Sequence, residues 1–344
     1  PRILRGVFLS EFSGARILLN WRERHLGQSE ICLMWKSMLS IAILIFPPWI
    51  SGQENLRGDY LGQKPPGMIP AIFAPGVIST DSIEHSSPAF SPEGNLVLWS
   101  PVKRNAYPNS FLLEMRREDG KWKGPTRPSF ADSSNDDIYP VFSSDGTTLF
   151  FSSRRPLRSG GQPRLSSEGL RIWVVERKGD SWGIPAPLDT SVSFGQEYAH
   201  STSENGTLYF SSNRPGGKGS LDLYRSLFVH GKYQPPEPLG NEINTSGYED
   251  GPLIAPDESY LIFESSRAGG IEGSIDLYIC YRRGDGSWSP PRNLGSEINS
   301  KYSERFARFS PDGRYFFFGS TRRGLYDVYW IDATTISKQA DPGD

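Results

Sequence analysis

Cysteine is nearly absent: Cys32 and Cys280 are the only two in 344 residues, so neither a disulfide framework nor zinc-like cysteine spacing can be written. Other absences narrow the function. There is no Gly-x-Ser-x-Gly elbow and no His-Glu-x-x-His, the spacings that present a nucleophilic serine or hold a catalytic zinc. Gly216-Gly-Lys-Gly-Ser220 lacks the spacing of a phosphate loop and reads as a hairpin loop. Cys280 sits in the strand-like run Leu277-Tyr-Ile-Cys-Tyr281 and reads as a small buried apolar residue. Charge gives no reason to expect nucleic acid. The first 52 residues hold six Lys or Arg against three acids, which leaves 31 basic against 36 acidic residues in the rest.

Turn formers are abundant, with 36 Gly and 28 Pro, aromatics make up 12%, and helix-period apolar stretches are missing. One pattern recurs five times. Phe90-Ser-Pro-Glu-Gly94, Phe142-Ser-Ser-Asp-Gly146, Thr202-Ser-Glu-Asn-Gly206, Ile254-Ala-Pro-Asp-Glu258 and Phe309-Ser-Pro-Asp-Gly313 stand 52, 60, 52 and 55 residues apart, each ahead of an apolar run. A period near 50 with turn signals inside it specifies a β-propeller. Pro92, Pro256 and Pro311 preset the turn between the first two strands of a repeat, and Gly94, Gly146, Gly206 and Gly313 supply its permissive position. The next strands, such as Tyr315-Phe-Phe-Phe318, are apolar without alternation, as strands covered on both faces must be.

The fold expected is therefore all-β, a propeller of five four-stranded blades, with six blades as the alternative. The fifth repeat stops after Asp327-Val-Tyr-Trp-Ile331, before a fourth strand. Ile72-Phe-Ala-Pro-Gly-Val-Ile78 resembles the unit end Pro291-Arg-Asn-Leu-Gly-Ser-Glu-Ile298 and should complete the last blade from the N-terminal side, removing two open edges. The propeller should span residues 70–336, with 53–69 a linker and 337–344 a tail. Residues 34–52 read as a signal peptide: Lys36, an apolar run from Met38 to Phe46, then Pro47-Pro48 and small residues. Residues 1–33 read as translated upstream sequence or an over-extended gene start. The mature chain should be exported, periplasmic or extracellular, monomeric and without a stable membrane span.

Phe309-Ser-Pro-Asp-Gly-Arg-Tyr-Phe-Phe-Phe-Gly-Ser-Thr-Arg322 followed by Asp327-Val-Tyr329 resembles the Pro-Asp-type, WD-repeat-like propeller repeat of TolB-like proteins. The similarity covers residues 70–332. It implies a bacterial exported propeller that binds a protein or an envelope polymer.

Two charge columns accompany the repeats. Eight residues before the turn acid stand His85, Asp137, Glu197, Glu249 and Glu304, expected to ring the channel mouth. At the end of the second strand stand Arg154, Arg214, Arg267 and Arg322, on the same face. The acids either bridge to these Arg or form a site for a cation or basic ligand. No cofactor is expected; oxygen-only ligation would favour Ca²⁺ or Mg²⁺ at the mouth. Asp222, Asp276 and Asp327 are further candidates for pairing with the Arg column. A long loop in repeat two adds Arg155, Arg158 and Arg164, a candidate binding excursion. Non-enzymatic binding through this charged face is the first reading. The rival is a carbohydrate-active hydrolase or lyase using Glu197, Glu249 and Glu304, with Arg214 or Arg267 holding an acidic sugar.

Overall fold

A computed structural model describes residues 56–337, apart from 103–109, 133, 160–161, 164–168, 194–195 and 272–273. The segments read as upstream sequence and signal peptide, together with Cys32 and Arg164, lie outside the described residues. Five antiparallel blades form a ring. From the axis outward, blade 1 is Ala89–Phe90, Leu96–Trp99, Leu113–Glu118 and Lys121–Thr126. Blade 2 is Asp137–Phe142, Thr148–Ser153 and Arg171–Lys178, with Ser181–Trp182 and Ala186–Pro187 both on its outer edge. Blade 3 is Glu197–Thr202, Leu208–Ser212, Asp222–Ser226 and Glu237–Pro238. Blade 4 is Glu249–Ile254, Tyr260–Ser265, Asp276–Tyr281 and Arg292–Asn293.

Blade 5 comprises Glu304–Phe309, Tyr315–Ser320 and Asp327–Asp332, and its outer strand is Ala71–Ile72, paired to Trp330 and Tyr329. The N-terminal strand thus closes the ring as the repeat comparison predicts. The match extends past the strand. Asn244 and Asn299 hold the third strands of blades 3 and 4 through both polar groups of the backbone at Leu223 and Leu277. Ser79 does the same for Val328 in blade 5.

Second strands are buried on both faces, all of Tyr315–Ser320 included, because apolar clusters fill every gap between neighbouring blades. Phe73, Ile78, Phe317 and Trp330 meet Phe90, Trp99 and Trp122 across blades 5 and 1; Ile262 and Leu277 meet Phe316 and Phe318 across blades 4 and 5. Similar clusters join blades 1 and 2, 2 and 3, and 3 and 4. Cys280 belongs to the last of these with no exposed surface, and burial pushes its thiol up to about 12. The recurring turn is tied by its serine as well as by Pro and Gly: Tyr315 N donates to Ser310 Oγ at 2.9 Å, and the Ser310 hydroxyl donates to Asp312 at 2.7 Å.

Residues 56–62, expected as linker, instead pack on the ring. Leu61 is fully buried in the cluster between blades 5 and 1, and Trp122 Nε1 donates to Gly58 O at 2.8 Å.

Candidate functional site at the mouth of the ring

Blades 2 to 5 each begin the inner strand with an acid and treat that acid alike. Glu197 lies 3.1 Å from Arg214, Glu249 3.6 Å from Arg267, Glu304 3.3 Å from Arg322 and Asp137 2.6 Å from Arg155. All four acids are at most 1% exposed. The guanidiniums also donate to backbone carbonyls, Arg214 to Val192, Arg267 to Ile243, Arg322 to Ile298 and Arg155 to Phe130. Each lies over an aromatic pair of its own blade, Phe210 and Tyr224, Phe263 and Tyr278, Phe318 and Tyr329, or Phe151 and Trp173. Acid, Arg and rings therefore form one repeated device that locks strand starts to the preceding loop. Burial raises the carboxyls of Glu304 and Asp137 above their usual range, with Arg322 and Arg155 opposing the rise.

Three sequence expectations are corrected here. Arg155, not Arg154, completes the column in blade 2; it is 8% exposed and is a buried structural cation rather than a loop charge. Glu84, not His85, is the ring acid of blade 1. It is fully buried and accepts from Thr80 N and Oγ1, as Glu249 does from Thr245 and Glu304 from Ser300. No Arg pairs with it among the described residues, and burial pushes its carboxyl up to about 7. Asp222, Asp276 and Asp327 do not pair with the Arg column: Asp222 accepts from the amides of Lys218 and Gly219, Asp276 from that of Ile271, and Asp327 lies 3.6 Å from Arg323. Arg158 falls on a small hairpin, Arg158–Ser159 against Gln162–Pro163. Among the described residues no group of three or more His, Cys, Asp or Glu is placed to hold a metal ion.

What faces the axis is the residue after each ring acid. A β-bulge follows the acid in blades 2 to 5, turning Ile138, Tyr198, Asp250 and Arg305, together with His85 of blade 1, into a bowl of about 330 Å³. One residue further on, Tyr139, Gly251 and Phe306 all take positive φ, 56°, 57° and 59°. Glycine adopts that conformation freely, and at Gly251 a Cβ would run into Glu264. Tyrosine and phenylalanine hold it at a cost of about 1–2 kcal/mol each, and the rings so placed meet: Tyr139 and Phe306 centroids are 5.9 Å apart, and His85 lies 5.5 and 5.7 Å from the two. Tyr139 and Phe306 form a buried apolar cluster with Ile138, Leu170 and Ala199, and Ile138, Tyr139 and Leu170 of that cluster line the bowl.

The walls are charged but paired. Arg305 donates to Glu264 at 2.5 Å and to Asp250 at 2.7 Å, and Tyr248 donates to Asp250 at 2.5 Å. Opposite, Arg154 donates to Asp136 at 3.1 Å, and Asp136 also accepts from Ser110 N at 2.8 Å. Burial raises the Glu264 carboxyl to about 7, Arg305 opposing the rise. Burial, with Arg305 adding to it, lowers His85 to about 4, so its imidazole is neutral at pH 7. Sequence reasoning missed Glu84, Asp136, Tyr139, Tyr198, Tyr248, Asp250, Glu264 and Arg305. The available signal was non-repetition: the position after the ring acid differs in every blade, whereas structural positions recur.

No protein-family model matches the chain, and no curated protein matches it. Among solved structures it is similar to a putative TolB from Agrobacterium tumefaciens, with 21% identity, 74% of this chain and 78% of that one covered, and a TM-score of 0.45. It is similar to an endo-arabinase from Bacteroides thetaiotaomicron VPI-5482 at 13% identity, covering 74% and 96%, TM-score 0.46. An oligogalacturonate lyase in complex with manganese is similar at 13% identity, covering 73% and 65%, TM-score 0.39.

Proposed function

We propose that the mature chain is an exported, non-enzymatic propeller of the Pro-Asp repeat type, which binds a protein or a cell-envelope component on the face where the bowl opens. One observation carries the reading: the recurring carboxylates of that face are buried against Arg, while the bowl they surround presents tyrosines and paired charges. A hydrolase or lyase using Glu197, Glu249 or Glu304 would need those groups to reach a glycosidic bond; their burial counts against it. Export rests on the signal-like segment from Met34. Among the described residues no helix is long and apolar enough to cross a membrane.

Arg154, before the repeat-two loop, and Leu170, after it, both line the cavity. Shortening residues 156–169 to the length of the blade-3 connection should leave thermal unfolding unchanged, because that length already closes another blade. Retention of partners from the native envelope on the immobilised domain at low salt should fall, and retention by the full-length domain should weaken as salt rises. Equal retention by both proteins at every salt concentration would remove the charged face from the account.

A further inference from the structure

The bowl is built for a particular chemistry. Resting on the envelope-binding reading above, we propose that it holds a neutral sugar unit, the exposed end of an envelope glycan, with its apolar ring face on the tyrosines and its hydroxyls on the walls. Charge argues first. Asp136 faces Arg154 and Asp250 faces Arg305, so each wall carries both signs side by side. An anionic guest meets a carboxylate beside each guanidinium, and a cationic guest meets the reverse. A polyhydroxylated neutral guest suits both, because each hydroxyl donates and accepts.

Geometry argues second. Tyr139, Tyr198 and Tyr248 line the cavity, the first two belonging to or packing on an apolar cluster that shares its wall, so the lining divides between apolar faces and charged or hydroxyl groups. Such a division matches a pyranose, whose C–H face is apolar and whose rim is hydroxylated. The positive φ of Tyr139 points the same way: backbone strain is kept to aim an aromatic ring at the axis. Size argues third. A volume of about 330 Å³ is at the small end of ligand pockets, roughly 300–1,000 Å³, fitting one or two sugar rings rather than a folded partner. Rigidity supports the match, since Tyr248, Asp250, Glu264 and Arg305 form one hydrogen-bonded network whose groups are ordered before any guest arrives.

The test is titration calorimetry of residues 53–344 with a panel of neutral disaccharides (chitobiose, cellobiose, maltose and lactose), alongside galacturonate and glucosamine as charged counterparts. The expected result is saturable binding of at least one neutral sugar, binding of the charged sugars that is weaker, and a loss of roughly tenfold or more in affinity for Tyr198→Ala. Tyr198 contributes its side chain to the bowl wall, and the hydrogen bond from Ser152 Oγ goes to its backbone carbonyl, so the variant keeps that contact. An unchanged unfolding midpoint verifies this. Absence of binding across the neutral panel, preference for a charged sugar, or equal affinity in Tyr198→Ala would overturn the proposal. Envelope capture separates the two readings. Capture that persists in Tyr198→Ala and in excess disaccharide leaves envelope binding standing without the sugar site; sugar binding with no envelope capture leaves the site standing without the envelope role.

Discussion

A chain lacking residues 70–80 should not form the ring at all. The segment supplies the outer strand of blade 5, buries Phe73 and Ile78 completely, and ties Val328 through Ser79. Burying a Phe or Ile side chain is worth about 1.5–3 kcal/mol, and the hydrogen-bonded edge adds to that. The sum approaches the total stability of an ordinary domain, about 5–15 kcal/mol. Its removal also exposes a strand edge in blade 5 and an apolar flank on blade 1, so soluble aggregates should appear in size-exclusion chromatography. A smaller change isolates the packing part: Phe73→Ala should cost about 3–5 kcal/mol. Thermal unfolding of the deletion indistinguishable from that of the intact protein would mean that the ring closes some other way.

The second large effect separates two adjacent arginines. Arg155→Ala leaves the Asp137 carboxylate, 1% exposed, without its cation. Breaking a buried pair from one side costs about 3–5 kcal/mol. Arg154 has a side chain 38% exposed, and its partner Asp136, 8% exposed, keeps the hydrogen bond from Ser110 N, so Arg154→Ala should cost less, about 1–3 kcal/mol. Urea unfolding of the two variants gives the comparison directly. The sequence expectation that puts Arg154 in the column with Arg214, Arg267 and Arg322 would reverse the order.

That reversal shows where a sequence of repeats is legible. Positions that build the ring recur because every blade must solve the same problem, so the turns, the buried second strands, five blades and the N-terminal closure could all be read. The ring acids were legible wherever the spacing held. Between Glu84 and Glu93 it does not: one more residue intervenes than between Glu304 and Asp312, and counting from the turn selects His85. In blade 2 two arginines adjoin, and Arg155 is marked by the serine two residues before each column Arg, Ser153, Ser212, Ser265 and Ser320, whose hydroxyl accepts from the Arg amide. The bowl was illegible for a different reason. The positions that follow the ring acids, His85, Ile138, Tyr198, Asp250 and Arg305, share no residue type, and the Arg305–Glu264–Asp250 network joins two blades through side chains far apart in sequence. The bowl lies where the repeat pattern lapses, because the shared geometry of the blades leaves those side chains free to differ.

Buried against arginine, the recurring carboxylates serve the structure and should be closed to a substrate. Carbodiimide-driven amine labelling of the native protein, read by peptide mass spectrometry, tests this claim most directly. Asp189, Asp257 and Asp285 lie on the surface and should label at once, while Asp137, Glu197, Glu249 and Glu304 should stay unlabelled until urea unfolds the ring. Labelling of those four in the folded protein, at the rate of the surface aspartates, would contradict the claim and return them to the channel as candidate catalytic groups.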